Sequence, residues 1–294
     1  MARVLIFGKN GQVAKALSKA LERDHELICL SSDTVDLRHC DRVVEAIKGS
    51  GAKIIINAAA YTAVDDAEVN REIARKINVE AVATMAVSAK ETGARLIHFS
   101  SDYVFDGNKQ TPYLETDTVS PVNFYGKTKI DSENNVRASG CDHWIFRTSW
   151  VFSRTGKNFI KTIVRLAKEK DEISIVDDQI GAPTSAAFIA KTVSSCLMKL
   201  EDLPNGTYHL TAAESGSWYD VGVEAIRHSR SLGLPIRTDE GSIHKVTSKE
   251  FPTPARRPTN SVLNCEKLFT ILDAERPGWK TQLKNEFQSK EDFG

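Results

Sequence analysis

The first half of the chain alternates between two hydrophobic periods. Val4-Leu5-Ile6-Phe7 is a short continuous apolar run, the pattern of a strand buried on both faces of a parallel sheet. Behind it Val13, Leu17, Ala20 and Leu21 recur at helical spacing within residues 12–24. The alternation goes on with a strand over 27–30, a helix over 43–47 and a strand over 53–57. One long helix is predicted over about 67–92, rich in Ala and Glu and closed by Gly93. A strand over 95–100, a helix over 125–138 and a strand over 144–148 complete the series. Strands separated by helical stretches predict an α/β fold built on a doubly wound parallel sheet.

Beyond about residue 150 the pattern loosens. Helices are predicted over 159–170, 186–200 and 218–231, and a short strand over 206–211. Gln179-Ile180-Gly181-Ala182-Pro183-Thr184 reads as a turn-rich insert. Residues 251–258 carry three prolines and read as a loop, because proline continues neither a helix nor a sheet ladder. The division expected is a nucleotide-binding domain over 1–150 and a smaller, less regular domain over 151–294, some of whose segments return to the first.

Composition narrows the function classes. The 294 residues hold 39 Lys+Arg against 39 Asp+Glu, which argues against a nucleic-acid or membrane-surface partner acting through charge. At 41% hydrophobic residues the chain buries a large core and is not a disordered segment. The five cysteines are scattered, with no C-x-x-C pair, which fits buried apolar residues in a reducing compartment better than disulfides or a zinc site. No leader precedes the first apolar run, and no apolar stretch approaches the roughly 20 residues of a membrane span, so a cytoplasmic location is expected.

Candidate chemistry lies at the ends of the predicted strands. Gly8-Lys9-Asn10-Gly11-Gln12-Val13-Ala14 follows the first strand and opens the first helix, where glycines allow a tight turn and let a diphosphate approach backbone N–H groups. The spacing is G-x-x-G-x-x-A, a variant of the Rossmann-type fingerprint. After the second strand comes Ser31, with no acid directly at the strand end to hold a ribose 2′-hydroxyl. A hydroxyl there leaves room for a 2′-phosphate, with Lys9 or Lys53 to answer it, so NADPH is favoured and NADH is the alternative. Asn57-Ala58-Ala59-Ala60 puts small side chains at the end of the third strand, where a flat ring or ribose can lie against the backbone. Tyr125 and Lys129, at i and i+4, share one helix face. Ser100-Ser101-Asp102-Tyr103 brings a hydroxyl toward the same crevice. Together they make chemical sense as a carbonyl-reducing site, with Lys129 expected to lower the pKa of the phenol.

These segments, with SDYVFDG from Ser101, YGKTK from Tyr125, FRTSWV from Phe146, DQIGAPT from Asp178 and RPTNS from Arg257, resemble the extended short-chain dehydrogenase/reductase family and, within it, the dTDP-4-dehydrorhamnose reductases. The resemblance spans nearly the whole chain in the family's order. It implies a Rossmann-type sheet with a smaller C-terminal sugar-nucleotide domain, and NADPH-dependent reduction of a nucleotide-linked 4-keto-6-deoxy sugar. The implied catalytic residues are Ser101, Tyr125 and Lys129, with Ser where the family usually has Thr. Implied cofactor contacts are Gly8, Gly11, Gln12, Val13, Ser31, Asp36, Leu37, Ala60, Tyr61, Thr62, Tyr125 and Lys129. Implied substrate contacts are Ser101, Asp102 and Trp150, with Arg256 and Arg257 as candidates for the base or diphosphate. Many relatives dimerise around a magnesium ion, but the matching positions here are Ala16 and Ala187, which cannot ligate a hard cation. A monomer or weak homodimer without a bound metal is therefore expected. The fold also carries reductases that make the C4 epimer and regulatory subunits without turnover, and retention of Ser101, Tyr125 and Lys129 argues against the latter.

Overall fold

Alternate residues of each strand in the first half point to opposite faces of one sheet, and the two faces are covered by different helices. The computed structural model describes residues 1–293. Its sheet is built from β1 (Arg3–Phe7), β2 (Glu26–Leu30), β3 (Ile54–Asn57), β4 (Arg95–Ser101), β5 (His143–Thr148) and, much later in the chain, Gly206–His209. Val4, Ile6, Ile54, Ile56, Ile97, Trp144 and Phe146 face a core shared with α1 (Gln12–Leu21). Leu5, Phe7, Ile55, Leu96 and Ile145 face the other core, under α2 (Cys40–Ser50) and the helices that precede and follow β4. A period of two on buried strands thus dictates a three-layer sandwich.

Every pairing in this sheet is parallel. In space β2 is at one edge, followed by β1, β3, β4, β5 and the late strand. Because β1 lies between β2 and β3, the connections leave β1 and β3 in opposite directions, and a crevice opens at their C-terminal ends. Both the Gly8–Gly11 turn and Asn57-Ala58-Ala59-Ala60 stand at that crevice.

The long helix predicted over 67–92 is broken. It consists of α3 (Val64–Ala67), α4 (Arg71–Arg75), a π turn (Lys76–Glu80) and α5 (Ala81–Thr92), which Gly93 closes in the left-handed conformation at φ 66°. The break has a tertiary cause. The Glu68 carboxylate accepts the Phe124 backbone N–H at 2.7 Å and a hydrogen bond from Arg71. In the π turn the Asn78 amide bonds both the N–H and the C=O of Tyr61 and the Thr128 hydroxyl. Helical periodicity carries no trace of these distant partners.

After α6 (Phe124–Ser139) and β5 the chain forms β6 (Val151–Phe152), α7 (Phe159–Glu169), β7 (Ile173–Val176), β8 (Ile180–Gly181), β9 (Thr184–Ser185) and α8 (Ala186–Met198). Then come β10 (Gly206–His209), β11 (Gly216–Ser217), α9 (Trp218–Ser231), β12 (Ile243–Val246), α10 (Glu266–Leu272) and α11 (Trp279–Glu286). The turn-rich insert over 179–184 holds two short strands, β8 paired with β11 and β9 with β6. α8 packs its Ile189, Ala190 and Val193 into the α1 core, and β10 adds the last strand to the sheet. Ile160, Val164, Val221, Ala225, Trp279 and Leu283 build a separate core among α7, α9 and α11. Among the described residues no helix is long and apolar enough to cross a membrane.

Candidate active site

The crevice is a cavity of about 530 Å³. Its first wall is backbone. Gly8 has φ 94°, and a Cβ there would fall 2.9 Å from the main chain of Ala58 and Ala59, so only glycine lets the β1 turn lie this close to the end of β3. The N–H groups of Gly8 and Lys9 both reach the Leu30 carbonyl, at 2.9 and 3.0 Å. Gly11 caps α1 without a side-chain bond, and no acid stands in the first turn. The leading N–H groups of α1 therefore face the cavity at the positive end of the helix dipole, a fitting cradle for a diphosphate.

Gly8, Gly11, Gln12, Val13, Ser31, Asp36, Leu37, Ala60, Thr62, Tyr125 and Lys129 all line this cavity. Tyr61 does not; its main chain is held by Asn78 and its hydroxyl accepts from Asn70. Lys9 follows β1 at the cavity end of the sheet. Lys53 does not belong beside it: its N–H bonds the Arg3 carbonyl at the opposite, N-terminal edge of the strands. Besides Lys129, the cation that lines the cavity is Lys157, and Arg38, half exposed, is paired at 2.5 Å with Asp36 of the cavity wall. Its hydrogen bonds hold the Asp36 carboxyl at about 2.

Tyr125 and Lys129 are delivered by α6. Asn123 caps this helix by accepting the Gly126 N–H at 2.8 Å, while its amide donates to the Arg256 carbonyl, tying the helix start to the proline-rich loop. A Cβ on Gly126 would sit 2.1 Å from the Tyr103 carbonyl oxygen. The missing side chain lets α6 press against the short turn Asp102–Val104, which brings Tyr125 next to Ser101 at the end of β4. The rings of Tyr125 and Tyr103 meet edge to face at 6.1 Å. Lys129 is 2% exposed and donates to the Phe99 carbonyl at 2.6 Å.

Electrostatics here departs from the sequence expectation. Desolvation raises the Tyr125 pKa, the Asp102 charge raises it further, and only hydrogen bonding with Ser101 opposes them. Lys129 is not among the groups that shift it, and one N–H of its ammonium donates to the Phe99 carbonyl. Burial brings Lys129 itself down to about 8, with Glu133 pulling the other way. Tyr125 thus keeps its proton near neutrality, the state a proton donor needs. Asp102 is raised to about 6 by burial, against hydrogen bonds that include one from Ser101 at 2.8 Å.

Three buried polar atoms at this edge have no hydrogen-bond partner: Asp102 Oδ2, Thr148 Oγ1 and Trp150 Nε1. Thr148 ends β5 directly beside Ser101 and lines the cavity, whereas Ser101, Asp102 and Trp150 do not. Unpaired buried polar groups are uncommon and mark places completed by something else. In the sequence only its position at a strand's C-terminal end marks Thr148. Asn78, which organises the Tyr61 loop from a π turn, carries no such mark. Arg257 is committed to Asp65, at 2.9 and 2.6 Å, and clasps the proline-rich loop to α3. Ala16 and Ala187 face each other across a separate cleft with Lys15, Lys19 and Lys191.

Residues 2–291 match the family described as RmlD substrate binding domain. A dTDP-4-dehydrorhamnose reductase of Escherichia coli K12 is 40% identical over 287 residues, 96% of this chain and 95% of the relative. The chain belongs to the dTDP-4-dehydrorhamnose reductase family. The crystal structure of a family member from Clostridium acetobutylicum superposes with a TM-score of 0.90 at 34% identity, covering 97% of this chain and 98% of the other. A dTDP-4-dehydrorhamnose reductase from Bacillus anthracis, solved in complex with NADP, gives 0.89 at 32% identity over 98% and 99%. The Rossmann-like sheet with its C-terminal extension is thus the family's architecture.

Proposed function

We propose that this chain reduces the C4 keto group of dTDP-4-dehydro-L-rhamnose with NADPH, giving dTDP-L-rhamnose for cell-surface polysaccharide. One observation carries the reading. A single cavity runs from the start of α1 to Tyr125, which neighbours Ser101, with the unpartnered Thr148 hydroxyl in its wall. The names of the relatives and the NADP bound to the Bacillus anthracis protein support it.

The residues present fit the cofactor. The glycine cradle at Gly8 and Gly11 and the N–H groups of Gln12 and Val13 would hold the diphosphate, Ser31, Asp36 and Leu37 the adenosine, and Ala60 and Thr62 the nicotinamide ribose. NADPH, when bound, supplies the hydride to the carbonyl carbon. Tyr125 gives its proton to the carbonyl oxygen as charge develops there. Ser101, whose proton now goes to Asp102, turns it to the same oxygen and stabilises the growing charge. Lys129, in the cavity wall, would hold the ribose with the N–H donors that Phe99 does not use. Asp102 and Trp150 contact the sugar nucleotide, and the region after residue 150 supplies most of that pocket. We place the reaction in the cytoplasm, in keeping with five free cysteines, and expect a monomer or weak homodimer.

The test is incubation of the purified chain with dTDP-4-keto-6-deoxy-L-mannose made in situ. NADPH absorbance is expected to fall only when both are present, and NMR of the product to give the L-rhamno configuration at C4. No loss of NADPH would contradict the reading, and the L-talo product would replace it with the epimeric reductase.

A further inference from the structure

Trp150 combines three unfavourable features. Its backbone is left-handed at φ 48°, a conformation that bulky residues rarely adopt. Its indole lies face to face on Trp218, centroids 3.5 Å apart and planes within 5°, where aromatic quadrupoles prefer an offset or an edge. Its ring N–H is buried without an acceptor. A residue is kept in such a state only when its surroundings over-determine it.

The surroundings are visible. Trp150 is seated on Gly181, where a Cβ would come within 2.5 Å of its ring. Its partner Trp218 is fixed more firmly still. Trp218 is the first residue of α9, behind a reciprocal Ser217–Asp220 capping box, and the Ser217 hydroxyl also bonds Asp177 at 2.6 Å. Its indole N–H donates to Gln179 Oε1 at 3.1 Å, and the Gln179 amide donates in turn to Ser248. Phe159 backs the ring at 4.5 Å. The two indoles therefore differ: one has spent its donor on the scaffold and the other has kept it.

We propose that Trp218 is a positioning residue for substrate specificity, holding the Trp150 indole so that its free N–H meets an oxygen acceptor on the sugar nucleotide. The inference rests on the sugar-nucleotide reading above. Trp218 acts through Trp150 and touches neither the hydride path nor the cofactor cradle.

The experiment is a double-mutant cycle on the full chain with NADPH and the keto sugar, using Trp218→Leu, Trp150→Phe and their combination. It is followed by steady-state kinetics and by the exciton couplet that stacked indoles give in far-ultraviolet circular dichroism. Trp218→Leu is expected to abolish the couplet and raise KM for the keto sugar about three- to tenfold, the range of an aromatic pair. KM for NADPH should stay the same and kcat should change little. Trp218→Phe, which keeps an aromatic ring in the stack, should restore most of the lost affinity, and Trp218→Met takes the place of the leucine variant if that one does not fold. In the Trp150→Phe background, Trp218→Leu should add almost nothing. Unchanged KM in Trp218→Leu, or effects that simply add, would overturn the inference while wild-type turnover leaves the parent reading intact. A wild-type chain that does not turn over the keto sugar would overturn both.

Discussion

Glu133 and Asp102 are both almost completely buried beside the β4–β5 strands, yet they titrate in opposite directions. Glu133 accepts from Ser100 at 2.6 Å, from Arg147 at 2.9 and 2.7 Å and from Arg137 at 2.5 Å. Burial alone would raise its pKa, but Arg147, Ser100 and Arg137 outweigh that and hold it below the ordinary value. Asp102 has neighbouring hydrogen-bond donors but no cation, and one oxygen has no partner, so burial wins and its pKa rises to about 6. The first carboxylate is a finished brace between α6, β4 and β5. The second lies buried behind Ser101, at the end of β4 next to the candidate active site. A buried carboxylate with cationic partners stays charged, and one without them gives up its charge more readily.

The largest expected effect lies on the brace. Glu133→Ala strands two guanidinium groups, one of them buried, and should lower stability by about 3–5 kcal/mol in urea unfolding. A loss below about 1 kcal/mol would show that the brace is dispensable. Asp102→Asn sharpens the contrast through pH. The folded pKa of Asp102 lies above its unfolded value, so its contribution is fully present below about pH 4 and is lost as pH rises through about 6. The stability difference between wild type and Asp102→Asn should therefore shift against the wild type between pH 4 and 7. Glu133→Gln should show the opposite slope, because a lowered carboxyl stabilises above its unfolded pKa and stops doing so as pH falls. Parallel curves for the two variants would break the comparison. The smallest effect concerns Arg38, an exposed cation paired with Asp36 of the cavity wall. Arg38→Ala should raise KM for NADPH by up to about fivefold and leave NADH unaffected. An equal change for both cofactors would remove Arg38 from 2′-phosphate recognition.

What could be read in the chain follows the range of the forces involved. The β1–turn–α1 unit and the Tyr125/Lys129 spacing are local patterns, and both stand where the sequence puts them. The break at 68–70 depends on Glu68 reaching Phe124 and on Asn78 reaching Tyr61, partners far away in sequence. β8 and β9 are two residues each and exist only through pairing with β11 and β6. Lys53 is near the right strand but at its wrong end, which residue spacing alone does not distinguish. The raised pKa of Tyr125 is hidden for a related reason: it comes from burial and from the charge of Asp102, in the turn after β4, neither of which the i, i+4 spacing of Tyr125 and Lys129 shows.

The central claim is that Tyr125 is the proton donor at the end of the cofactor cavity. The most direct measurement compares Tyr125→Phe with wild type, with NADPH affinity read by fluorescence and turnover of the keto sugar by NADPH consumption. The account predicts unchanged folding and NADPH binding, with turnover reduced about a hundredfold to ten-thousandfold. Near-wild-type turnover in the phenylalanine variant would contradict it.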